Sequence, residues 1–426
     1  MKQASNREIL KSWLPLSLTW IMMAVEGPYL AAIVARMAEP DYNLAAFGIT
    51  FAIGLLMEAP VIMMMAAAAR LVKGKNSYLQ LRRFNIVLSI VCTLAMLALL
   101  IPGIFEFWTL SLLGLDERVQ SKIMTAMIYF LAWPGMIGYR RFYQGVLISS
   151  KKVKRVAIGT IIRLIAMSIT AFLAFKDGSL AGASVATLSL SIGVTAEALF
   201  VRLVAQKQRK RLLKIENEAE PLSLKYIVHF YYPLALTAMI GLTVQPLVTF
   251  AMGKAIFPLK SLAVLPVVNS LAFFFRAIPL SFQEVVITLM GDEEENYKRL
   301  RNFALWIGST LTVLMILLAF TELSHIWFYK VSGLSQELSN FAKVPLMLAI
   351  ATPASSLLLC WQRSLLIHRK NTKPVTHASI SELTVIAICL ALGISLLPYS
   401  GASIAVASLM IGRIFSTAFL RVRHGV

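Results

Sequence analysis

A chain of 426 residues with 58% hydrophobic and only 15% charged side chains has too little polar surface for a water-soluble protein. Its mean hydropathy is +0.74, and many apolar runs reach about 20 residues, enough to span roughly 30 Å of hydrocarbon. The runs are continuous and do not alternate with period two, so they predict helices and not the strands of a membrane barrel.

The predicted fold class is an all-α polytopic membrane protein. Twelve transmembrane helices are predicted, in chain order at 13–37, 44–70, 84–108, 119–149, 156–176, 180–205, 224–252, 261–290, 303–328, 338–367, 375–397 and 401–422. The first run is too long for a signal peptide, so we interpret it as the first transmembrane helix. The polar stretch 206–223 is predicted to be a cytoplasmic linker between two six-helix bundles, 1–205 and 224–426.

The positive charge of the chain is sorted among the loops. The formal net charge is +20, and Lys and Arg concentrate in alternate loops. The positive-inside rule then predicts a multi-pass protein of the inner (plasma) membrane with both termini cytoplasmic. Attraction of anionic lipids or anionic solutes is the alternative explanation of the charge. Membrane lipids and a small solute are the expected partners, nucleic acid is not, and a monomer is expected.

The two predicted bundles resemble each other in sequence. Three pairs of prolines are separated by the same number of residues along the chain, and we call this separation the repeat interval. The pairs are Pro15 and Pro233, Pro28 and Pro246, and Pro40 and Pro258. Gln144 later matches Gln362, and GASVA from Gly182 matches GASIA from Gly401. Six helices separate equivalent segments, so the repeat is parallel and predicts a pseudo-two-fold axis along the membrane normal. Such repeats place a substrate cavity between the halves and suit alternating access by rocking.

Several segments resemble a known group of exporters. They are the PLxLT opening of each half, YQGVLISSKK from Tyr143, and the GAS start of the sixth and twelfth helices. These resemble the MOP (multidrug/oligosaccharidyl-lipid/polysaccharide) superfamily, which includes the MATE-like exporters. LDERVQSKIMTAMIYFLAWP from Leu115 and LPYSGASIAVASL from Leu397 resemble most closely its progressive ankylosis (ANK) family. The resemblance implies a two-bundle exporter fold and, for ANK, export of small anions such as pyrophosphate, nucleotides or citrate.

Carboxylates inside the predicted spans are candidates for ion or proton binding, because a buried charge is costly unless it is paired or hydrated. Glu26 directly precedes Gly27-Pro28, and Glu58 lies two residues before Pro60. Proline frees a backbone carbonyl and bends a helix, so Pro28, Pro60, Pro246 and Pro279 are predicted kinks. Glu197 lies about one turn from Arg202, and the alternative for each acid is a structural pair with a nearby cation.

Arginine inside a span can bind an anion bidentately. Arg276 lies deep in the eighth predicted helix, one repeat interval after Glu58, with Pro279 within one turn. Glu284, two turns further on, is its alternative partner. Arg163 and Arg363 are further cavity candidates, although both could extend to the cytoplasmic interface instead. Gln144 is a candidate for the cavity or for a polar contact between helices.

The predicted function is secondary active export of a small anionic solute by alternating access, coupled to H⁺ or Na⁺. A lipid-linked precursor flippase and a MATE-type cation-coupled drug exporter remain as alternatives. No P-loop, HExxH or GxSxG motif is present in the sequence. Neither enzymatic activity, a cofactor nor a metal site is therefore expected.

Overall fold

The computed structural model describes residues 5–150, 152–215, 222–290, 294–369 and 373–424. Helices make up 87% of it. Within the described ranges, the only strand pairing is one parallel bridge between Ile256 and Ser400. The prediction of an all-α membrane protein is confirmed.

The helices follow one another with short connections. In chain order they are α1 (Asn6–Val34), α2 (Pro40–Ile62), α3 (Met64–Leu71), α4 (Lys75–Ala98), α5 (Pro102–Glu106), α6 (Glu117–Phe130), α7 (Ala132–Ser149), α8 (Val153–Asp177), α9 (Gly182–Val204), α10 (Gln206–Leu212), α11 (Leu224–Gly253), α12 (Pro258–Leu289), α13 (Tyr297–Phe320), α14 (Leu323–His325), α15 (Gln336–Leu348), α16 (Thr352–His368), α17 (Lys373–Leu396) and α18 (Gly401–His424).

The chain divides into two compact units, which we describe separately. The middle unit is Met37–Phe250, and the split unit joins Met1–Arg36 to Ala251–Val426. The first helix, α1, is therefore grouped by its contacts with the second half of the chain, and nearly all of α11 with the first half. The boundaries 1–205 and 224–426 describe the sequence repeat, and as domain boundaries they stay a prediction.

The number of spans differs from the predicted twelve. Among the described residues, ten helices are long and apolar enough to cross a membrane. A further pair, α15 and α16, is bent by about 40° at its break, and counting it as one span gives eleven. The predicted helix 119–149 is interrupted at Leu131, between α6 and α7. The count of twelve is not confirmed.

Helix boundaries depart from hydropathy where polar residues continue a helix. The predicted span 84–108 begins earlier, at Lys75, because Lys75–Arg83 extends α4 beyond its apolar part. It ends at Ala98, and Pro102 begins a new helix. Part of the predicted linker also forms a helix, α10, while residues 216–221 of that linker lie outside the described residues.

The helices behave differently at the four prolines that were predicted to be kinks. Pro60 lies shortly before the break between α2 and α3 at Met63. By contrast, α1 continues through Pro28, α11 through Pro246 and α12 through Pro279. A proline one turn or more inside a helix removes one backbone hydrogen bond without necessarily ending the helix.

Unusual backbone features recur along the chain in step with the sequence repeat. Glu39 and Phe257, separated by the repeat interval, both adopt left-handed φ values, 49° and 55°, before the proline that begins a helix. Two π-helical segments, Phe107–Leu112 and Ile326–Val331, match that interval to within a single residue. Left-handed conformations are costly for residues other than glycine. Their recurrence supports an internal repeat in the backbone as well as in the sequence.

Each unit has its own close helix contacts. In the middle unit, a Cβ on Gly145 of α7 would lie 2.5 Å from the Met65 carbonyl oxygen, so glycine allows α7 to pack directly against α3. In the split unit, Trp13 of α1 donates a hydrogen bond to Ser281 of α12, 2.8 Å from Nε1 to Oγ. Further along, Gly27 of α1 packs against Ser270 of α12. These two contacts show that α1 and α12 run antiparallel.

Candidate functional site: buried charge clusters in the two units

The middle unit contains a fully enclosed carboxylate. Glu197 of α9 is 0% exposed. Its Oε2 accepts from Nη1 of Arg140 at 2.5 Å and lies 3.6 Å from Nε of Arg163. Its Oε1 accepts from Nε2 of Gln144 at 2.9 Å. Two guanidinium groups and an amide thus satisfy this carboxylate, and we name these four residues the Glu197 cluster.

The sequence brings the Glu197 cluster together through helix periodicity and small residues. Arg140 and Gln144 are one helical turn apart, so they share one face of α7. Gly193 lets α9 approach α8 closely, since a Cβ there would lie 3.0 Å from the Arg163 carbonyl oxygen. Arg202, the partner considered for Glu197 from the sequence, instead lies 5.1 Å from the centre of the Tyr143 ring.

A second carboxylate of the middle unit has a neutral partner. Glu58 of α2 is 6% exposed, and its Oε2 accepts from Nε1 of Trp133 on α7 at 2.6 Å. No described cation lies within salt-bridge distance of Glu58, although Arg140, Arg141 and Arg163 act on it at longer range. The indole N–H can donate to Glu58 in either protonation state. Glu58 is therefore placed to exchange a proton without breaking an ion pair.

The split unit contains a carboxylate that the sequence analysis did not select. Glu382 of α17 accepts from Nε of Arg413 at 3.0 Å, and its other oxygen lies 3.7 Å from Nη2 of Arg363. Arg413 also donates to Ser356 at 2.9 Å, and Arg363 to Ser379 at 3.2 Å. The serine hydroxyls orient both guanidinium groups.

Arg276 adds a third cation to this neighbourhood. It lies in α12, is half-buried, and has Arg413, Glu382 and Arg363 as charged neighbours. Within the part of the chain that the structure describes, its guanidinium forms neither a hydrogen bond nor a salt bridge. We name Glu382, Arg363, Arg413 and Arg276 the Glu382 cluster. It holds three guanidinium groups and one carboxylate.

Another sequence candidate of the split unit, Glu26, lies near Ser270 of α12. Glu26 of α1 is half-buried and adjoins Gly27, which packs against Ser270. Since α1 and α12 are antiparallel, Glu26 lies level with the region of Ser270, about 9 Å along α12 from Arg276. Glu284 lies in α12, but its side chain is outside what the structure describes.

Sequence reasoning selected Arg163 and Arg363 but missed the acid that holds Arg363. The signal was present, because Glu382 is an ionisable residue within an apolar run. It also follows Arg163 by the repeat interval to within a single residue, so one half has a base where the other has an acid. Trp133 as the partner of Glu58 could not be foreseen, because nothing in the sequence relates the two positions.

Comparisons with known proteins show what the fold is similar to. No family model matches the sequence, and no curated protein matches it either. Among solved structures, the chain is similar to the lipid II flippase MurJ in an inward closed conformation. The TM-score is 0.73 at 16% identity, over 97% of this chain and 88% of that chain.

Two further structures carry the superfamily name. An inward-facing multidrug resistance MATE transporter of the MOP superfamily matches with a TM-score of 0.62 and 12% identity, over 96% of this chain and 94% of its own. A MOP transporter from Pyrococcus furiosus, noted for the reversed polarity of its binding pocket, also gives 0.62, at 13% identity over 99% and 98% of the chains. At such identities the likeness establishes the fold alone.

Proposed function

We propose that this protein is a secondary active transporter that moves an anionic substrate across the membrane by alternating access. The observation that carries the anionic substrate is Arg276, a half-buried cation of α12 without a partner among the described residues. A cation inside a span is costly unless it is paired or hydrated. An anionic substrate would supply a partner for this cation, and the MOP fold supports transport as the activity.

The Glu382 cluster suits an anion with more than one acidic oxygen. Glu382 neutralises one of the guanidinium groups around it, so the cluster has a surplus of two positive charges when all four residues are ionised. Guanidinium groups bind phosphate and carboxylate groups with two parallel hydrogen bonds. Pyrophosphate, a nucleotide or a citrate-like polycarboxylate has the matching charge, in keeping with the motifs that resemble the ANK family.

The substrate proposal is tested in proteoliposomes. Uptake of radiolabelled pyrophosphate, ATP and citrate is compared with uptake of a cationic dye. We expect an anion to be transported, Arg276→Lys to weaken its binding while keeping the charge, and Arg276→Gln to nearly abolish transport. Arg421→Gln, which removes an exposed arginine of α18, is the matched control. Uptake of the cation alone, or an unchanged anion rate in Arg276→Gln, would contradict the proposal.

Coupling to H⁺ or Na⁺ is proposed to involve Glu58 or Glu26. Glu58 has the geometry for a proton site, since its partner Trp133 is neutral. We expect Glu58→Gln to flatten the pH dependence of transport more than it weakens substrate binding. A variant that folds as a monodisperse protein and keeps the wild-type pH profile would remove Glu58 from the mechanism. Replacing Na⁺ by K⁺ in the same assay separates the two ions.

A lipid-linked precursor flippase is the second candidate. The observation that favours it is the TM-score of 0.73 with a lipid II flippase, against 0.62 for the MATE transporter. A pyrophosphate-linked lipid would bind the same guanidinium groups through its anionic part. Reconstituted protein that flips a fluorescent prenyl-pyrophosphate glycan, but does not take up soluble anions, would favour this candidate. A cationic-drug exporter is disfavoured by the surplus of arginine.

The setting of the transporter is part of the proposal. We infer a protein of the inner (plasma) membrane with both termini cytoplasmic, from the sorting of Lys and Arg among the loops. We also propose that it acts as a monomer. An impermeant thiol reagent should leave a cysteine introduced at Lys207 of α10 unlabelled in intact cells. Labelling from outside would reverse the inferred orientation.

A further inference from the structure

We propose that the middle unit binds one anionic phospholipid in a cleft between α4 and α7, with the phosphate of the lipid held by Arg82 and Arg202. This lipid site is distinct from the Glu382 cluster and does not depend on the proposed transport activity. Three observations carry it: an apolar cleft with an exposed apolar rim, two arginines without acidic partners among the described residues, and the continuity between them.

The cleft has a volume of about 260 Å³. Asn85, Ser89 and Thr93 recur once per helical turn and line it from one face of α4. Gly135 and Tyr139 of α7 form part of the opposite side. The outer rim is apolar and exposed, and it is formed by Ile86, Ile90 and Leu94. An apolar, exposed rim on a transmembrane helix is the surface that lipid chains contact.

The polar atoms of Asn85 and Ser89 lie in the contact between α4 and α7. Asn85 is 2% exposed and Ser89 is 8% exposed. Neither Asn85 Oδ1 nor Ser89 Oγ has a hydrogen-bond partner within the described residues. Both pack against α7 where Gly138 leaves room, since a Cβ there would lie 2.3 Å from Ser89 Oγ. The packing of α4 on α7 closes off these oxygens, so the surface that the cleft presents to a bound molecule is nearly all apolar and suits an acyl chain.

The arginines lie about one helical turn beyond the residues that line the cleft. Tyr139 lines the cleft and its ring lies 5.0 Å from that of Tyr143, over which the Arg202 guanidinium is placed at 5.1 Å. Arg82 acts electrostatically on Tyr143 from α4. Arg82 Nε and Arg202 Nη1 are buried without hydrogen-bond partners, and no acid of the described ranges forms a salt bridge with either arginine.

The spacing along α4 matches the parts of a phospholipid. At about 1.5 Å per residue, Asn85 lies about 4.5 Å and Ser89 about 10 Å further along the helix than Arg82. A phosphate at Arg82 would therefore place the glycerol region of the lipid level with Asn85, and an acyl chain along Ile86, Ile90 and Leu94. Basic pockets between transmembrane helices are known to hold anionic headgroups. A free phosphate would leave the apolar cleft empty.

The test is lipid binding to the purified full-length protein, followed by native mass spectrometry. Phosphatidylglycerol, phosphatidylcholine and glycerol 3-phosphate are titrated separately. We expect one phosphatidylglycerol to bind at least about tenfold more tightly than phosphatidylcholine, and glycerol 3-phosphate to bind weakly. The double variant Arg82→Gln, Arg202→Gln should weaken phosphatidylglycerol binding about tenfold or more. The matched control is Arg83→Gln, an exposed neighbour on α4, which should change binding less than about twofold.

A further variant and three contrary outcomes complete the test. Gly135→Leu retains both arginines and places a side chain in the cleft, so it should also weaken phosphatidylglycerol binding. Equal affinity for the two lipids in the wild type would overturn the proposal, even if the variants fail to fold. Equal losses in Arg83→Gln and the double variant would show general surface attraction instead of a site. Tight binding of glycerol 3-phosphate would show a free-phosphate site and also overturn the lipid assignment.

Discussion

The Glu197 cluster of the middle unit and the Glu382 cluster of the split unit use similar residues with different outcomes. Glu197 is 0% exposed and is satisfied by Arg140, Arg163 and Gln144. Glu382 is 9% exposed and is shared by Arg363 and Arg413, while Arg276 in the same neighbourhood has no partner among the described residues. In the Glu197 cluster the carboxylate is satisfied by the other members of the cluster. In the Glu382 cluster three guanidinium groups share one carboxylate, so the cluster has a surplus of positive charge.

The glutamines at equivalent positions of the repeat donate hydrogen bonds to different groups. Gln144 donates to the carboxylate of Glu197, across α7 and α9. Gln362, one repeat interval later, donates instead to the Thr417 carbonyl oxygen of α18. Both join helices, as expected for polar side chains between spans. Gln144 uses its amide to complete the coordination of an acid, which contributes to the saturation of the Glu197 cluster.

The largest expected effect is the loss of stability on replacement of Glu197. Glu197→Leu would leave Arg140 and Arg163 buried without their shared carboxylate, which should cost about 3–5 kcal/mol. The thermal unfolding midpoint in detergent should fall by about 5–10 °C. Glu337→Leu is the matched control, because Glu337 forms an exposed ion pair with Lys260. An unchanged midpoint in Glu197→Leu would show that the cluster does not stabilise the middle unit.

Replacement of Arg140 and replacement of Arg276 should have different effects on the free energy of unfolding. Arg140→Met removes the closest cation of Glu197 and should destabilise the protein by about 3 kcal/mol. Arg276→Met removes a cation without a described partner, so the free energy of unfolding should stay constant or rise by up to about 1 kcal/mol. Transport should nonetheless fall in Arg276→Met. Equal destabilisation by the two variants would mean that Arg276 is also a structural residue.

Replacement of Glu382 should have an intermediate effect. In Glu382→Leu, Arg413 keeps Ser356 and Arg363 keeps Ser379, and both arginine side chains are partly exposed. The loss of stability should therefore be about 1–3 kcal/mol. Because three guanidinium groups would then lack a carboxylate, the KM for an anionic substrate should fall. A raised KM with unchanged stability would contradict the role of Glu382 as a competitor of the substrate.

The smallest expected effect comes from an exposed pair that serves as a reference for the buried ones. Arg369 donates to both carboxylate oxygens of Glu294, at 2.6 and 3.0 Å, and this hydrogen bonding lowers the pKa of Glu294 below its ordinary 4.5. The stabilisation is present above about pH 4.5 and is lost as the pH falls through the lowered pKa. Its size should be about 0.2–1 kcal/mol, because water screens the pair.

The measurement for this pair is the midpoint difference between wild type and Glu294→Gln. The difference should be small at pH 6 and should shrink as the pH is lowered past about 4.5. A difference that grows on acidification would show the opposite sign and refute the assignment. A difference as large as that of Glu197→Leu would remove the contrast between exposed and buried pairs.

The sequence by itself determined the fold class, most of the helices and the internal repeat. Hydropathy predicts spans because backbone polar groups in lipid must bond within the helix. It also pointed to Glu58, Arg276, Arg163 and Glu197 as costly charges within spans. It did not place the break at Leu131, because helix interruptions inside an apolar run leave the hydropathy unchanged.

Only the tertiary structure decided which charges are satisfied. Glu197 has Arg202 little more than one turn away along its own helix, yet its partners come from α7 and α8. Helix packing sets such pairings, because each side chain can reach only the neighbours that close contacts such as Gly193 against α8 bring near. Arg276 resembles Arg163 in the sequence, as an arginine in an apolar run. Their different contacts, an acid for Arg163 and none described for Arg276, follow from how many arginines each set of packed helices gathers around a single acid.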